Sequence, residues 1–188
     1  MELTTDRPTY LLVDGENIDA TLGTSILGRR PHPEERPRWD RLLTFVREQW
    51  GQQARGLFFL NASQGMPMSF VQALRAMGYQ AIPLSGTTEE KVVDIAVQRT
   101  LQALRSRAAD VMLVSHDGDF REDLAALLDG RQVGLMAFQE FCSSGLAALA
   151  ERGLQSFDLE HDVAAFTAPL PRLRVIPIDQ FDPEQFLV

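Results

Sequence analysis

The sequence predicts a three-layer α/β/α sandwich with a mostly parallel central sheet, and three observations predict it. Short apolar runs alternate with longer stretches whose apolar residues recur at helical spacing. Glycine and proline punctuate the boundaries between the two patterns. The acidic segments fall directly after apolar runs, at the strand ends where open α/β sheets hold their ligands.

Taken in order, Tyr10-Leu11-Leu12-Val13 follows Pro8 and ends at Asp14-Gly15, so it reads as a buried strand with Asp14 at its carboxyl end. Residues 18–27 can begin a helix, which Gly28-Arg29-Arg30-Pro31-His32-Pro33 breaks into a loop. From Trp39, the apolar positions Leu42, Leu43, Phe45, Val46 and Trp50 keep helical spacing until Gly51 stops them. Residues 55–60 then read as a strand, 67–77 as a helix closed by Gly78, and 79–84 as a third strand. The longest helical pattern spans 89–107, with Val92, Val93, Val97, Leu101 and Leu104 available for burial and Asp94 in its first turns. Residues 111–114 form a fourth strand that ends in Ser115-His116-Asp117-Gly118-Asp119-Phe120. Leu124, Leu127 and Leu128 mark the next helix, 133–138 the next strand and 144–151 a short helix. After residues 154–159 the pattern weakens. Residues 1–165 are therefore expected to form the domain and 166–188 a tail, in which 173–178 could add an edge strand and Phe181, Phe186 and Leu187 could dock on the body. Pro169, Pro171, Pro177 and Pro183 disfavour a long helix there.

A chain of 188 residues with 45% hydrophobic and 23% charged residues can bury the core of one domain. There is no signal pattern at the N-terminus and no apolar run approaching the roughly 18 to 20 residues that span a bilayer, so a cytoplasmic protein without membrane attachment is expected. Its single cysteine, Cys142, lies beside an apolar stretch and reads as a packing residue. A net charge of -8 excludes a protein that coats nucleic acid through a general basic field. Any attraction for nucleic acid has to be local, and Arg29, Arg30, Arg36, Arg38 and Arg41 are the candidates for a basic rim.

Three segments carry chemistry: Val13-Asp14-Gly15-Glu16-Asn17, Lys91-Val92-Val93-Asp94 and Ser115-His116-Asp117-Gly118-Asp119-Phe120. If the strands ending at Asp14 and Asp117 are neighbours, their carboxylates converge and Asp94 reaches in from the start of its helix. Carboxylates held that close repel one another unless protonated or bridged by a cation. Hard oxygen ligands suit magnesium or manganese, which can activate water and neutralise charge on a phosphodiester. Asp14, Asp94, Asp117 and Asp119 are the candidate metal-binding and catalytic residues. Asn17, Lys91 and Ser115 are the candidate substrate contacts, with Ser115 also able to orient the ligands. Each segment has a plainer reading alone: an Asp-Gly turn, a helix start that favours acids, a helix-capping aspartate. His116 reads as a local hydrogen-bonding residue, Glu16 as a solvated turn residue and Phe58-Phe59 as strand core, while Asn61 and Ser63 follow a strand end and could touch substrate.

The same three segments, VDGEN, KVVD and SHDGDF, in this order and separated by βα units, resemble the NYN domain of the PIN-like nuclease superfamily over roughly residues 9–160. The resemblance implies a central parallel sheet between helices and an acidic cluster, and several members are magnesium- or manganese-dependent ribonucleases. It assigns Asp14, Asp94 and Asp117 to the core acids, Asp119 to a further acid, and Asn17 and Ser115 to the accompanying polar positions. Val92 departs from the glycine that often follows the lysine. The expected function is hydrolysis of phosphodiester bonds in RNA, single-stranded or structured, with Mg2+ or Mn2+. A phosphatase with an aspartyl nucleophile would want an acid two residues after the first strand-end aspartate, where Glu16 stands. A regulatory module that keeps the acidic pocket for recognition is the alternative from another class. The last strands or the tail leave room for a homodimer.

Overall fold

Burial on both faces is already written into the first strand. Leu11 and Val13 pack into one layer and Leu12 into the other, all fully buried, as the two-residue period of an extended chain requires. The structure, a computed structural model, describes residues 4–172 and 176–187. Six strands, β1 (Thr4–Asp14), β2 (Gln52–Asn61), β3 (Tyr79–Leu84), β4 (Asp110–Val114), β5 (Val133–Ala137) and β6 (Gln155–Asp158), form one sheet in the order β3-β2-β1-β4-β5-β6. Every pairing is parallel. The chain moves outward from β1 in one direction as far as β3, then returns to add β4 on the other side of β1. At such a switch the flanking connections leave towards opposite faces, which opens a crevice beyond the carboxyl ends of β1 and β4.

Helices cover both faces. α1 (Gly15–Thr21), α2 (Trp39–Trp50) and α3 (Met68–Ala76) pack on one side, and α4 (Val92–Leu104), α5 (Arg121–Leu127) and α6 (Ser144–Ala148) on the other. That coverage explains why β4 and β5 are buried at every position and why, after Asp110, they read as apolar runs. α2 ends where the sequence predicts: Gly51 is left-handed (φ 62°) and donates its N–H to the Arg47 carbonyl, a conformation that costs glycine little.

Several boundaries differ from the sequence reading for identifiable reasons. α4 begins at Val92 rather than residue 89, because the Glu90 carboxylate accepts the Thr87 N–H and folds residues 87–90 into a separate turn. α1 runs on without a break into a π-helical segment, Leu22–Leu27, closed by left-handed Gly28. β2 starts three residues early. There Gln52 is buried and donates to Asp110, whose carboxylate also accepts from Arg7 and the Gln132 backbone. This satisfied buried aspartate ties β1, β2 and β4 together at the sheet end opposite the acids, a structural role invisible in sequence. Residues 155–158 form a sixth strand, within the last regular stretch before the pattern weakens.

Of the tail, Phe166 and Leu170 pack on the core, and Arg41 donates to the Ala164 and Phe166 carbonyls. Residues 173–175 of the anticipated edge strand lie outside the described residues, and Ile178 sits in a short 3-10 turn. Phe181, Phe186 and Leu187 are exposed, with Phe181 stacked on Phe186 instead of docked on the body. No described helix is long and apolar enough to cross a membrane.

The turn after β1 is set by close contact. A Cβ on Gly15 would stand 2.5 Å from the Phe58 ring, and Phe58 is itself wedged between Trp39, Phe70 and Tyr79. Gly15→Ala is expected to cost about 1–3 kcal/mol through overpacking, read as a lower urea midpoint with an unchanged m-value. An unchanged midpoint would show that the ring moves aside freely.

Candidate active site

β1 and β4 pair side by side, Val13 opposite Val114, so the residues that follow both strands emerge together at the switch point. Asp14 ends β1 with only 2% of its surface exposed. The Ser115 hydroxyl, fully buried, donates to Asp14 Oδ2 at 2.9 Å and accepts the Asp117 N–H at 3.1 Å. One side chain therefore fixes two acids from two strands. Burial, with lesser contributions from the Asp94 and Asp117 charges, pushes the Asp14 carboxyl up to about 7 against the opposing Ser115 bond.

Beyond this buried pair lies the open part of the cluster. Asp94 projects from the first turn of α4, Asp117 caps the 3-10 turn Gly118–Phe120, and Asp119 lies exposed inside that turn. Asp117 Oδ1 accepts the Asp119 N–H at 2.9 Å, which holds the two acids on one side of the turn. One carboxylate oxygen from each of Asp94, Asp117 and Asp119 lies within 4.8 Å of the others. Burial and the Asp117 charge raise the Asp94 carboxyl above its usual range, while Lys91 lowers it. Such a cluster in the absence of a counter-charge stores repulsion, and its donors are all hard oxygens. The residues thus fit a hard divalent cation, with Asp94, Asp117 and Asp119 as the open face of the cluster and Asp14 buried beside them.

The remaining polar residues divide between support and access. Asn17 Oδ1 accepts the His116 backbone N–H at 2.7 Å and meets His116 Nδ1 at 2.9 Å. His116 Nε2 accepts the Phe138 N–H, which places the ring proton on Nδ1 and fixes a neutral imidazole. Burial holds His116 down to about 4. Its ring stacks on Phe138 at 5.6 Å, and Phe138 in turn stacks on Phe166. His116 is therefore a brace between β4 and β5. Ser115, expected among the substrate contacts, is fully buried, and its hydroxyl is bonded to Asp14 and the Asp117 N–H. Lys91 is exposed and caps α4 next to Asp94. Asn61 and Ser63 build their own loop, with Asn61 Oδ1 accepting the Ser63 N–H and Ser63 Oγ the Gly86 N–H.

Two neighbours of the cluster escaped the sequence reading. Gln98, one helical turn beyond Asp94, donates to the Asp119 carbonyl, and its four-residue spacing from Asp94 is the signal that could have found it. Ser143, which caps α6, packs so close to Gly118 that a Cβ there would come within 2.9 Å of its hydroxyl. The anticipated basic rim is largely neutralised: Arg29 pairs with Glu35, Arg36 with Asp19 and Arg38 with Asp40, while Arg41 holds carbonyls.

Ser115→Ala should lower stability by about 1–3 kcal/mol, because it strips a buried carboxyl of its hydrogen-bond donor and the Asp117 amide of its acceptor. Thermal melts of the metal-free protein check this, and an unchanged midpoint would show that water replaces the hydroxyl.

A search of curated proteins returns no match. Among solved structures, a protein of unknown function from Vibrio parahaemolyticus superposes with a TM-score of 0.63 at 17% identity, covering 84% of this chain and 97% of that one, which supports the fold alone. A candidate MAR1 ribonuclease from Leishmania major aligns over 89% of this chain and 88% of that one at 10% identity, with a TM-score of 0.36 too low to carry an argument. The NYN domain profile matches residues 8–153, a stretch that holds all three acidic segments together with the strands that present them, and the chain belongs to the NYN domain family.

Proposed function

We propose that the protein is a metal-dependent ribonuclease that hydrolyses RNA phosphodiester bonds at Asp14, Asp94, Asp117 and Asp119. The observation that carries this reading is the convergence of Asp94, Asp117 and Asp119 oxygens within 4.8 Å at the switch point of the sheet. Family membership supports the nuclease class. Asp94, Asp117 and Asp119 would hold Mg2+ or Mn2+, with Asp14 as the buried fourth carboxylate. When bound, such an ion neutralises phosphate charge and makes water a stronger nucleophile.

The chain's own groups do the rest. Ser115 and the Asp119 amide fix the orientations of Asp14 and Asp117, so little rearrangement is needed when charge develops on the phosphate. Asp119, exposed at the edge of the cluster, is placed to receive a proton from the attacking water. Lys91 offers a cation to a phosphate oxygen, and the Asn17 amide nitrogen a donor, its oxygen being committed to His116. A single strand fits the recessed acids better than a duplex, since its backbone can bend into them.

The test is cleavage of labelled RNA and DNA oligonucleotides with manganese, magnesium or chelator. Metal-dependent RNA cleavage supports the reading. Inactivity on every substrate, with metal still bound, favours a catalytically silent regulatory module of the same fold; the pairing of the rim arginines with acids is the observation on that side.

A further inference from the structure

Beside the acids, where α1, α2 and α3 meet the end of β2, lies a cavity of about 200 Å³ walled by Trp39, Phe58, Leu60 and Phe70, with Glu16 and Arg36 among its polar members. Phe58 meets Trp39 edge to face at 4.9 Å and Phe70 at 5.4 Å. Trp39 and Phe58 are buried and anchored in the core, so they form a fixed floor, whereas Phe70 is only half-buried. The turn that follows β1 links the acids to the cavity. Gly15 and Glu16 follow Asp14 in the chain and line it, and the Glu16 charge is felt at Asp94.

We propose that this cavity is the subsite for one unpaired nucleobase of the strand whose phosphate lies at the acids, an inference that rests on the ribonuclease reading. Phe70, the half-buried ring of the wall, supplies a stacking face that any base can use, with Trp39 and Phe58 closing the floor behind it. The volume falls below the roughly 300–1,000 Å³ of cavities for drug-sized ligands, so it takes one ring system rather than a whole nucleotide. Asp19 is paired with Arg36, and Glu16, which forms no ion pair among the described residues, disfavours a phosphate in so small a space, which selects the base over the backbone as occupant. Asp19 fixes the Arg36 guanidinium through two bonds of 2.8 and 3.3 Å, leaving other N–H donors of that fork for a base carbonyl. A larger, more open cavity of about 580 Å³ shares Glu16 and Asp19 and extends away from them to Arg29 and Arg30, and that arginine end gives the strand's backbone a path onward. Arg30 forms no ion pair among the described residues and is the cation free to meet that backbone.

The test uses fluorescence and cleavage together. The chain has two tryptophans, so Trp50→Phe leaves Trp39 as the reporter. Titration of this variant with adenosine or cytidine, which carry no phosphate for the metal-free acids to repel, should quench Trp39 saturably in chelator. Phe70→Leu, which keeps apolar bulk and loses the ring, should weaken that binding about tenfold, and Phe70→Tyr should restore it. In cleavage assays a single abasic nucleotide, moved stepwise along the RNA, should raise KM about tenfold at one position in the unmodified protein, whereas in Phe70→Leu, whose KM for intact RNA is already raised, the same scan should be flat. Cleavage without quenching and with a flat abasic scan overturns the subsite while leaving the ribonuclease reading intact. Quenching that Phe70→Leu abolishes, without any cleavage, supports base binding and sinks the ribonuclease reading. Quenching indifferent to Phe70 overturns the subsite.

Discussion

Asp117→Asn will leave the fold intact and reduce RNA cleavage by at least about a hundredfold, since outer-sphere partners alone are worth 10- to 100-fold and Asp117 is proposed to be a direct ligand. The substitution is nearly isosteric. An asparagine oxygen can still accept the Asp119 N–H, and its backbone amide still donates to Ser115. What changes is charge: one of three carboxylates converging within 4.8 Å becomes neutral. Two consequences should therefore have opposite signs. Cleavage falls, because the site loses a ligand, while the melting temperature of the metal-free protein holds or rises, because Asp94 loses a repelling neighbour. Gel assays with labelled RNA in manganese, beside circular-dichroism melts in chelator, check both. Retained cleavage with retained metal dependence would remove Asp117 from the site. A large drop in melting temperature would mean that the carboxylate is needed for the fold.

The second large effect is a change in how stability and metal binding depend on pH when Asp14 becomes asparagine. Asp14 is held near 7 in the fold against 3.8 unfolded, so its contribution is fully present below about 3.8 and is lost as pH rises through 7. His116 runs the other way. Its folded value near 4 lies below 6.5, so its contribution is present above 6.5 and is lost as pH falls towards 4. Between about pH 4 and 6.5 the two oppose each other, and the metal-free protein should show a shallow profile. Asp14→Asn removes the first contribution and exposes the second, so its melting temperature should climb with pH across that window. A cation beside Asp14 favours loss of its proton, and apparent affinity should therefore rise with pH up to about 7 in the unmodified protein. In Asp14→Asn that slope should flatten. Melts from pH 4.5 to 8 with manganese or chelator measure both trends, and a variant profile that overlays the unmodified one would deny Asp14 this role.

The route from sequence to site was unequal across the chain. VDGEN and SHDGDF were legible because each interrupts a fully apolar strand with acids that packing does not call for, and two of their neighbours then proved to share one hydroxyl, Ser115. KVVD was harder, since an acid in a first helical turn is ordinary dipole chemistry; the position of α4 over β1 and β2 gives Asp94 its significance. Asn17 and Ser115 were identified as polar residues of the site, yet sequence could not tell a residue that meets substrate from one that holds its neighbours. That distinction depends on which atoms are already bonded. The arginines between residues 29 and 41 show the same limit, because the partners of Arg29, Arg36 and Arg38, namely Glu35, Asp19 and Asp40, are visible only when the loop is folded.

By itself the sequence determined the layered α/β fold, most of its elements and the acids that could converge, because hydrophobic period and glycine stops act within a few residues of chain. The tertiary structure decided the strand order, the separation of Asp14 as a buried acid from the open trio of Asp94, Asp117 and Asp119, and the aromatic cavity formed by Trp39, Phe58 and Phe70. These are relations between segments up to a hundred residues apart, such as Asp14 with Ser115. They arise when burial of both sheet faces fixes which strand lies beside which, and no local pattern carries that information.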